Sequence, residues 1–163
     1  MSLEGFPDVE NLYLFGDKSI NATGNEVANG LKGNDQDNVL IGYAGDDSLD
    51  GGAGDDQLVG GIGNDILRAG YNHDTLNGGV GNDTFGFYAL GHFQISDFAS
   101  SEDRLFFDSS KIGVSNLHDF VGYITNINQD SDGVAIEFGV NASIELVGIN
   151  LNQIIADTIV FTL

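Results

Sequence analysis

Cysteine is missing from all 163 residues, which excludes disulfides and thiolate-bound zinc. Proline occurs once, at Pro7, while glycine occurs 24 times without the three-residue period of collagen, so glycine serves another repeated purpose. Positive charge is scarce: Lys and Arg total 5 against 25 Asp and Glu, a formal net charge of −20. Such a chain repels itself when compact, and it repels nucleic acid and anionic membrane surfaces. No run approaches the ~18 apolar residues of a membrane span, so membrane insertion is not expected. The stretch Met1 to Asp8 lacks the basic region and apolar run of a secretory signal peptide, and the chain reads as one piece of a longer protein. Familiar catalytic motifs are also missing. His73, His92 and His118 are scattered and form no H-E-x-x-H, and neither a G-x-S-x-G elbow nor a P-loop occurs. The expectation is a non-catalytic chain.

What is present is a nine-residue period. Leu31, Leu40, Leu49, Leu58, Leu67, Leu76 and Phe85 follow one another at intervals of nine. Two residues before each stands a carboxylate or its amide: Asn29, Asn38, Asp47, Asp56, Asp65, Asp74 and Asp83. The units read GYAGDDSLD, GGAGDDQLV, GGIGNDILR, AGYNHDTLN and GGVGNDTFG, preceded by the weaker GNEVANGLK and GNDQDNVLI. They fit the calcium-binding nonapeptide pattern G-G-x-G-x-D-x-U-x, where U is large and apolar.

Each unit has a direct physical reading. Its glycines permit a tight turn with positive φ, and x-U-x is a short strand with one inward side chain. A single unit cannot bury that side chain, so neighbours must stack, two units to an 18-residue coil. Units two apart then lie roughly 4.8 Å from each other, as adjacent strands do. Stacking makes two acidic ladders: Asn29, Asp47, Asp65 and Asp83 along one edge, and Asn38, Asp56 and Asp74 along the other. Carboxylates at that spacing repel unless a cation lies between them. Calcium, with its tolerant shell of 6–8 oxygens drawn from carboxylates and turn carbonyls, suits the site better than magnesium with its tight octahedron.

The array resembles the β-roll of repeat-in-toxin (RTX) proteins, such as serralysin-type proteases, secreted lipases and alginate epimerases. That resemblance implies an all-β fold, a right-handed parallel β-roll, with calcium between units two apart. It also implies the ligands. One site would use Tyr43, Gly45 and Asp47 with Gly60, Ile62 and Asp65. A second would use Gly52, Gly54 and Asp56 with Ala69, Tyr71 and Asp74. A third would use Gly61, Gly63 and Asp65 with Gly78, Val80 and Asp83. The pairs Asn29–Asp47 and Asn38–Asp56 carry one carboxylate each and are expected to bind weakly or not at all, which gives about three to five ions in total. Asn72 takes a turn glycine's place.

Around the array, VENLYLFG (Val9 to Gly16) alternates like a strand, and residues 1–23 read as degenerate leading coils of a roll spanning 24–86. Residues 87–163 read as a β-rich cap with one or two short helices. The expected strands are 93–98 and 103–107, a hairpin of 134–138 with 143–147, and a last strand at 158–161; helical turns are expected at 115–124 and 152–156. The segment holding Asp97 and Asp103 resembles one that follows the roll in secreted proteases, where an Asp in the place of Asp103 closes a last calcium site. The run Asn128 to Gly133 looks like half an EF-hand loop, but strands flank it and Gly139 stands where the closing glutamate belongs, so a polar hairpin turn is the better reading. The tail Ala156 to Leu163 resembles the uncleaved signals of type I secretion substrates.

Together these features point to a calcium-binding folding and secretion module of an extracellular protein. Its partners would be calcium, the type I secretion apparatus and an upstream catalytic or adhesive domain of the same chain. The alternative is an extracellular adhesin or carbohydrate-binding domain, for which the strand faces offer no regular Thr or aromatic ladder.

Overall fold

The computed structural model describes residues 1–108, 110, 117–139, 141–154 and 159–161. Its strands fall into two sheets that face each other across one core. The first holds β1 (Asn11–Tyr13), β3 (Gly30–Lys32), β5 (Ser48–Gly52), β7 (Ile66–Gly70), β9 (Thr84–Phe87), β11 (Arg104–Phe107) and β15 (Ile159–Phe161), side by side in that order and all parallel. The second runs β2 (Ala22–Thr23), β4 (Val39–Ala44), β6 (Gln57–Ile62), β8 (Asn72–Val80), β10 (Gly91–Ile95) and β14 (Ser143–Val147) in parallel, then closes with the antiparallel strands β13 (Gly133–Glu137) and β12 (Asn126–Gln129). The chain alternates between sheets, so it winds a parallel β-solenoid, the expected all-β fold.

The nine-residue period sets this winding. Leu31 pairs with Leu49, Leu49 with Leu67 and Leu67 with Phe85 in one sheet, while Leu40 pairs with Leu58 and Leu58 with Leu76 in the other. All seven side chains are at most 1% exposed, so the two apolar columns meet in a dry core. Each Leu can be buried only because coils lie above and below it.

From Gly42 to Gly81 the turns take left-handed backbone at the second and fourth positions of each unit, and glycine supplies it at all but two of them. Two other residues take this conformation: Tyr43 at φ 85° and Asn72 at φ 83°. Asn tolerates it best among non-glycine residues, so the turn at Asn72 keeps its form.

Beyond Phe87 the sheets continue while the spacing lengthens. Ile95 pairs with Leu76 after 19 residues, and Leu105 pairs with Phe85 after 20. Phenylalanines fill the wider coil: the Phe87 ring lies 5.0 Å from that of Phe93 and 5.2 Å from that of Phe107. The expected hairpin is β13–β14, and the EF-hand-like run is the turn of a second hairpin, β12–β13, where Asp130 Oδ1 accepts from the Asp132 and Gly133 amides. The strand β12 was not expected. A helix, α1 (Leu117–Tyr123), lies within the expected 115–124, and a 3-10 turn spans Leu151–Gln153. The remainder of the expected turn, 155–156, and of the signal-like tail, 156–158 and 162–163, lies outside the described residues. Among the described residues, no helix is long and apolar enough to cross a membrane.

Candidate metal centre

The sixth residue of each unit sits where a strand begins, just after the turn, and the winding stacks these residues from coil to coil. Backbone amides tie each rung to the next. The Asn29 amide donates to Asp47 Oδ1 at 2.7 Å, Asp47 to Asp65 Oδ1 at 2.8 Å, Asp65 to Asp83 Oδ1 at 2.8 Å and Asp83 to Asp103 Oδ1 at 2.9 Å. On the other edge the Asn38 amide donates to Asp56 Oδ1 at 2.8 Å, and Asp56 to Asp74 Oδ1 at 2.9 Å. Phe93 stands opposite Asp74 in the next coil, which ends this second ladder.

These bonds use one oxygen of each carboxylate. The other oxygen, Oδ2 of Asp47, Asp56, Asp65 and Asp74, is buried without any hydrogen-bond partner. A buried carboxylate oxygen with no donor is costly, so it marks a place for a further donor or an ion. Only the lack of a side chain on the neighbouring glycines lets the backbone lie against three of these oxygens. A methyl carbon grafted onto Gly42 would overlap Asp47 Oδ2 and lie 2.6 Å from the Gly60 carbonyl oxygen. The same graft on Gly51 would meet Asp56 Oδ2 and, at 2.7 Å, the Ala69 oxygen; on Gly60 it would meet Asp65 Oδ2 and, at 2.6 Å, the Gly78 oxygen. Each of these glycines thus keeps open a gap too narrow for a methyl, bounded by a bare carboxylate oxygen and a carbonyl oxygen of the next coil.

The electrostatics agree with that geometry. Burial, opposed by the amide donors and reinforced by neighbouring carboxylates, pushes the Asp47 and Asp56 carboxyls up from 3.8 to about 7, Asp74 to about 8 and Asp83 to about 6. Burial raises Asp65 and Asp103 as well. Without a cation, these groups hold protons far above the usual carboxylate range.

The structure places the remaining expected residues as follows. The carbonyls of Tyr43, Gly45, Gly52, Gly61 and Gly63 abut Gly61, Gly63, Gly70, Gly79 and Gly81, each in the coil above. The Ile62 oxygen accepts from the Gly45 amide at 2.9 Å, Val80 from Gly63 at 2.9 Å and Gly52 from Tyr71 at 3.1 Å. A carbonyl has a second lone pair, so these bonds leave room for a cation. Gly54 and Tyr71 lie in the matching turns of the other edge. Asp103 differs from the array aspartates: both its oxygens hold amides, of Asp83 at 2.9 Å and Ala99 at 2.8 Å. Asp97 likewise accepts from the Gly78 and Gly79 amides, at 3.0 and 2.7 Å. Among the described residues, no three His, Cys, Asp or Glu side chains converge on one point. The donor set is therefore paired carboxylates plus backbone oxygens, all hard ligands, which fits calcium and not zinc or copper.

Residues 22–58, 32–67 and 50–85 each match the family described as the RTX calcium-binding nonapeptide repeat. This chain carries an RTX repeat array. No curated protein sequence matches the chain. Among solved structures, the AlgE6R2 subunit of the mannuronan C5-epimerase of Azotobacter vinelandii is 25% identical over 84% of this chain and 92% of its own, with a TM-score of 0.57. The AlgE6R3 subunit of that enzyme is 28% identical over 83% and 78%, with a TM-score of 0.42. The extracellular lipase LipA of Serratia marcescens is 16% identical over 90% of this chain and 41% of its own, at 0.41. AlgE6R2 carries the likeness in fold; the RTX array itself rests on the repeat match and on the ladders.

Sequence reading missed two features of the array. One is the amide-to-Oδ1 chain, which binds each rung to the next before any ion does. The other is a pair of asparagines, Asn25 and Asn34, taken up below; the signal for them was Asn in place of the second glycine in the two weak units.

The glycine gaps give a direct test. Gly60→Ala leaves every charge in place but puts a methyl between Asp65 Oδ2 and the Gly78 oxygen. Bound calcium, counted by equilibrium dialysis, is expected to fall by about one ion per chain. An unchanged count would move the site away from this gap.

Proposed function

We propose that this chain is a non-catalytic, calcium-folded module of an extracellular protein, exported loose through a type I secretion apparatus and folded outside by calcium. The observation that carries this reading is the row of four buried Asp Oδ2 atoms without a donor, three of them set beside a carbonyl oxygen of the next coil. Calcium would be held by Asp47 and Asp65 with the oxygens of Tyr43, Gly45, Gly60 and Ile62. Asp56 and Asp74 would act with those of Gly52, Gly54, Ala69 and Tyr71, and Asp65 and Asp83 with those of Gly61, Gly63, Gly78 and Val80. Asp103 closes the first ladder. When bound, the ion supplies the countercharge that lets stacked carboxylates stay ionised.

The mechanism is linkage. The buried rungs and a net charge of −20 disfavour the compact chain, and an ion that binds only the folded form adds its binding energy to folding. Where free calcium is scarce the chain stays open enough for export; where calcium is abundant it winds. The RTX match, the resemblance of the tail to type I signals and the likeness to a subunit of a larger enzyme support this reading.

Calorimetric titration of the calcium-free chain at neutral pH is expected to show saturable binding of three or more ions, with circular dichroism gaining sheet signal over the same range. Titration without heat and without spectral change would defeat the proposal.

A further inference from the structure

The two coils nearest the N-terminus depart from the rest in one consistent way. Their second position holds Asn25 or Asn34, and neither takes the left-handed φ found at Tyr43, Gly52, Gly61, Gly70 and Gly79. The Asn34 Nδ2 donates to the Gly16 and Lys18 carbonyls, each at 3.0 Å, in the coil below. The Asn25 Nδ2 donates to the Phe6 and Val9 carbonyls at 2.9 and 3.1 Å. Gly16 and Lys18 stand 18 residues before Asn34 and Gln36, so they hold the turn positions whose carbonyls face the gap higher in the roll. Two acceptors around one side-chain atom fix that atom as the NH2.

The ladder oxygen changes partner at the same coils. Asn29 Oδ1 accepts from the Asn25 amide at 2.7 Å, and Asn38 Oδ1 from the Asn34 amide at 2.8 Å. These oxygens adjoin Gly24 and Gly33, as the bare Oδ2 atoms of Asp47 and Asp56 adjoin Gly42 and Gly51. The same place thus holds a satisfied amide oxygen in the two lower coils and an unpartnered carboxylate oxygen above. Asn38 Nδ2 adds a bond to the Ile20 carbonyl at 2.7 Å, and Asn25 and Asn34 each accept an amide two residues on, Val27 at 3.1 Å and Gln36 at 3.2 Å. Both asparagines are buried, and every polar atom of their side chains is engaged.

We propose that Asn25 and Asn34 replace calcium in the first two coils, drawing the turn carbonyls together with a neutral NH2 and making the N-terminal end of the roll a metal-independent edge on which the calcium-bound coils stack. An NH2 group gathers carbonyls as a cation does, but adds no charge and needs no carboxylate. This accounts for the absence of any carboxylate at positions 11, 20, 29 and 38 while the rungs from Asp47 upward carry one. The array then grows from an edge that is already formed, which removes part of the nucleation cost of a solenoid. The inference rests on the calcium reading above for the coils from Asp47 onward.

Hydrogen–deuterium exchange on the whole chain, with and without chelator at neutral pH, tests it. In chelator, residues 16–41 are expected to exchange about tenfold or more slowly than residues 57–85. Asn34→Ala removes that difference while calcium bound per chain stays at the wild-type count. Asn34→Asp puts a carboxylate against two carbonyls, so protection of 16–41 becomes calcium-dependent; this variant serves if the alanine chain does not fold. Fast exchange of both segments in chelator, or loss of an ion in Asn34→Ala, would overturn the inference. Residues 57–85 staying protected in chelator would instead overturn the calcium reading, and Asn34→Ala then decides the role of the amide by whether 16–41 opens.

Discussion

In excess chelator at pH 8, the coils from β5 to β9 lose most of their sheet structure, whereas at pH 5 they retain it. The sign follows from the raised carboxyls. Asp47 and Asp56 titrate at about 7, Asp74 at about 8 and Asp83 at about 6 in the folded chain, against 3.8 when unfolded. Between those limits the folded chain holds more protons, so the stability of the calcium-free roll falls as pH rises. That stability is complete below about 4 and is lost as pH climbs through 6 to 8. Calcium acts in the opposite sense, since it needs the ionised carboxylates and releases their protons. Thermal melts at pH 5 and pH 8, each with calcium and with chelator, should show a wide calcium effect at pH 8 and a narrow one at pH 5. A calcium effect that is equal at both would show that these carboxylates do not compete between protons and metal.

Asp65→Asn is expected to reverse its effect with calcium. Asp65 stands between Asp47 and Asp83, so it serves two of the proposed sites, while its Oδ1 accepts the Asp47 amide. Asparagine keeps the acceptor and the shape; Asn29 and Asn38 already occupy the same position in the lower coils. With calcium present, the variant loses the contribution of about two ions, roughly 2.7 kcal/mol for each at a hundredfold excess over Kd. In chelator at pH 8 the same change removes a buried carboxylate whose Oδ2 lacks a partner, so the variant is more stable than the native chain. Asp130→Asn, in the β12–β13 turn, changes neither bound calcium nor its effect on stability. Denaturant melts of the three chains in both buffers decide this. A variant less stable in chelator as well would mean that Asp65 contributes through hydrogen bonding and not through metal.

The winding was legible because it depends on periodicity alone. Leu31 to Phe85 at intervals of nine dictates two apolar columns, and the aspartates two residues earlier must then stack. What lay beyond the pattern depends on which atom meets which. Spacing places Asp47 over Asp65, but only the side-chain conformation shows that one oxygen takes an amide while the other is left bare. Asn25 and Asn34 read as lapses from the glycine consensus, because their role lies in carbonyls 16 to 19 residues earlier, within a segment that has no repeat of its own. Past Phe87 the coils lengthen to 19 and 20 residues, which breaks the period without breaking the sheets. The hydrogen bond from Tyr88 to Asp50 at 2.5 Å spans 38 residues and no local pattern announces it. Strand β12 is exposed along its length and lacks the alternation that marks a half-buried strand, so its sequence, Asn-Ile-Asn-Gln, gives little sign of sheet.

Crystals grown in millimolar calcium, with anomalous diffraction to identify the ions, test the central claim most directly. The account predicts a calcium ion between successive aspartate rungs, with Asp47 Oδ2 and an Asp65 oxygen both inside its shell at about 2.3–2.6 Å. Water alone in those gaps, with the anomalous peaks confined to the outer surface, would contradict it.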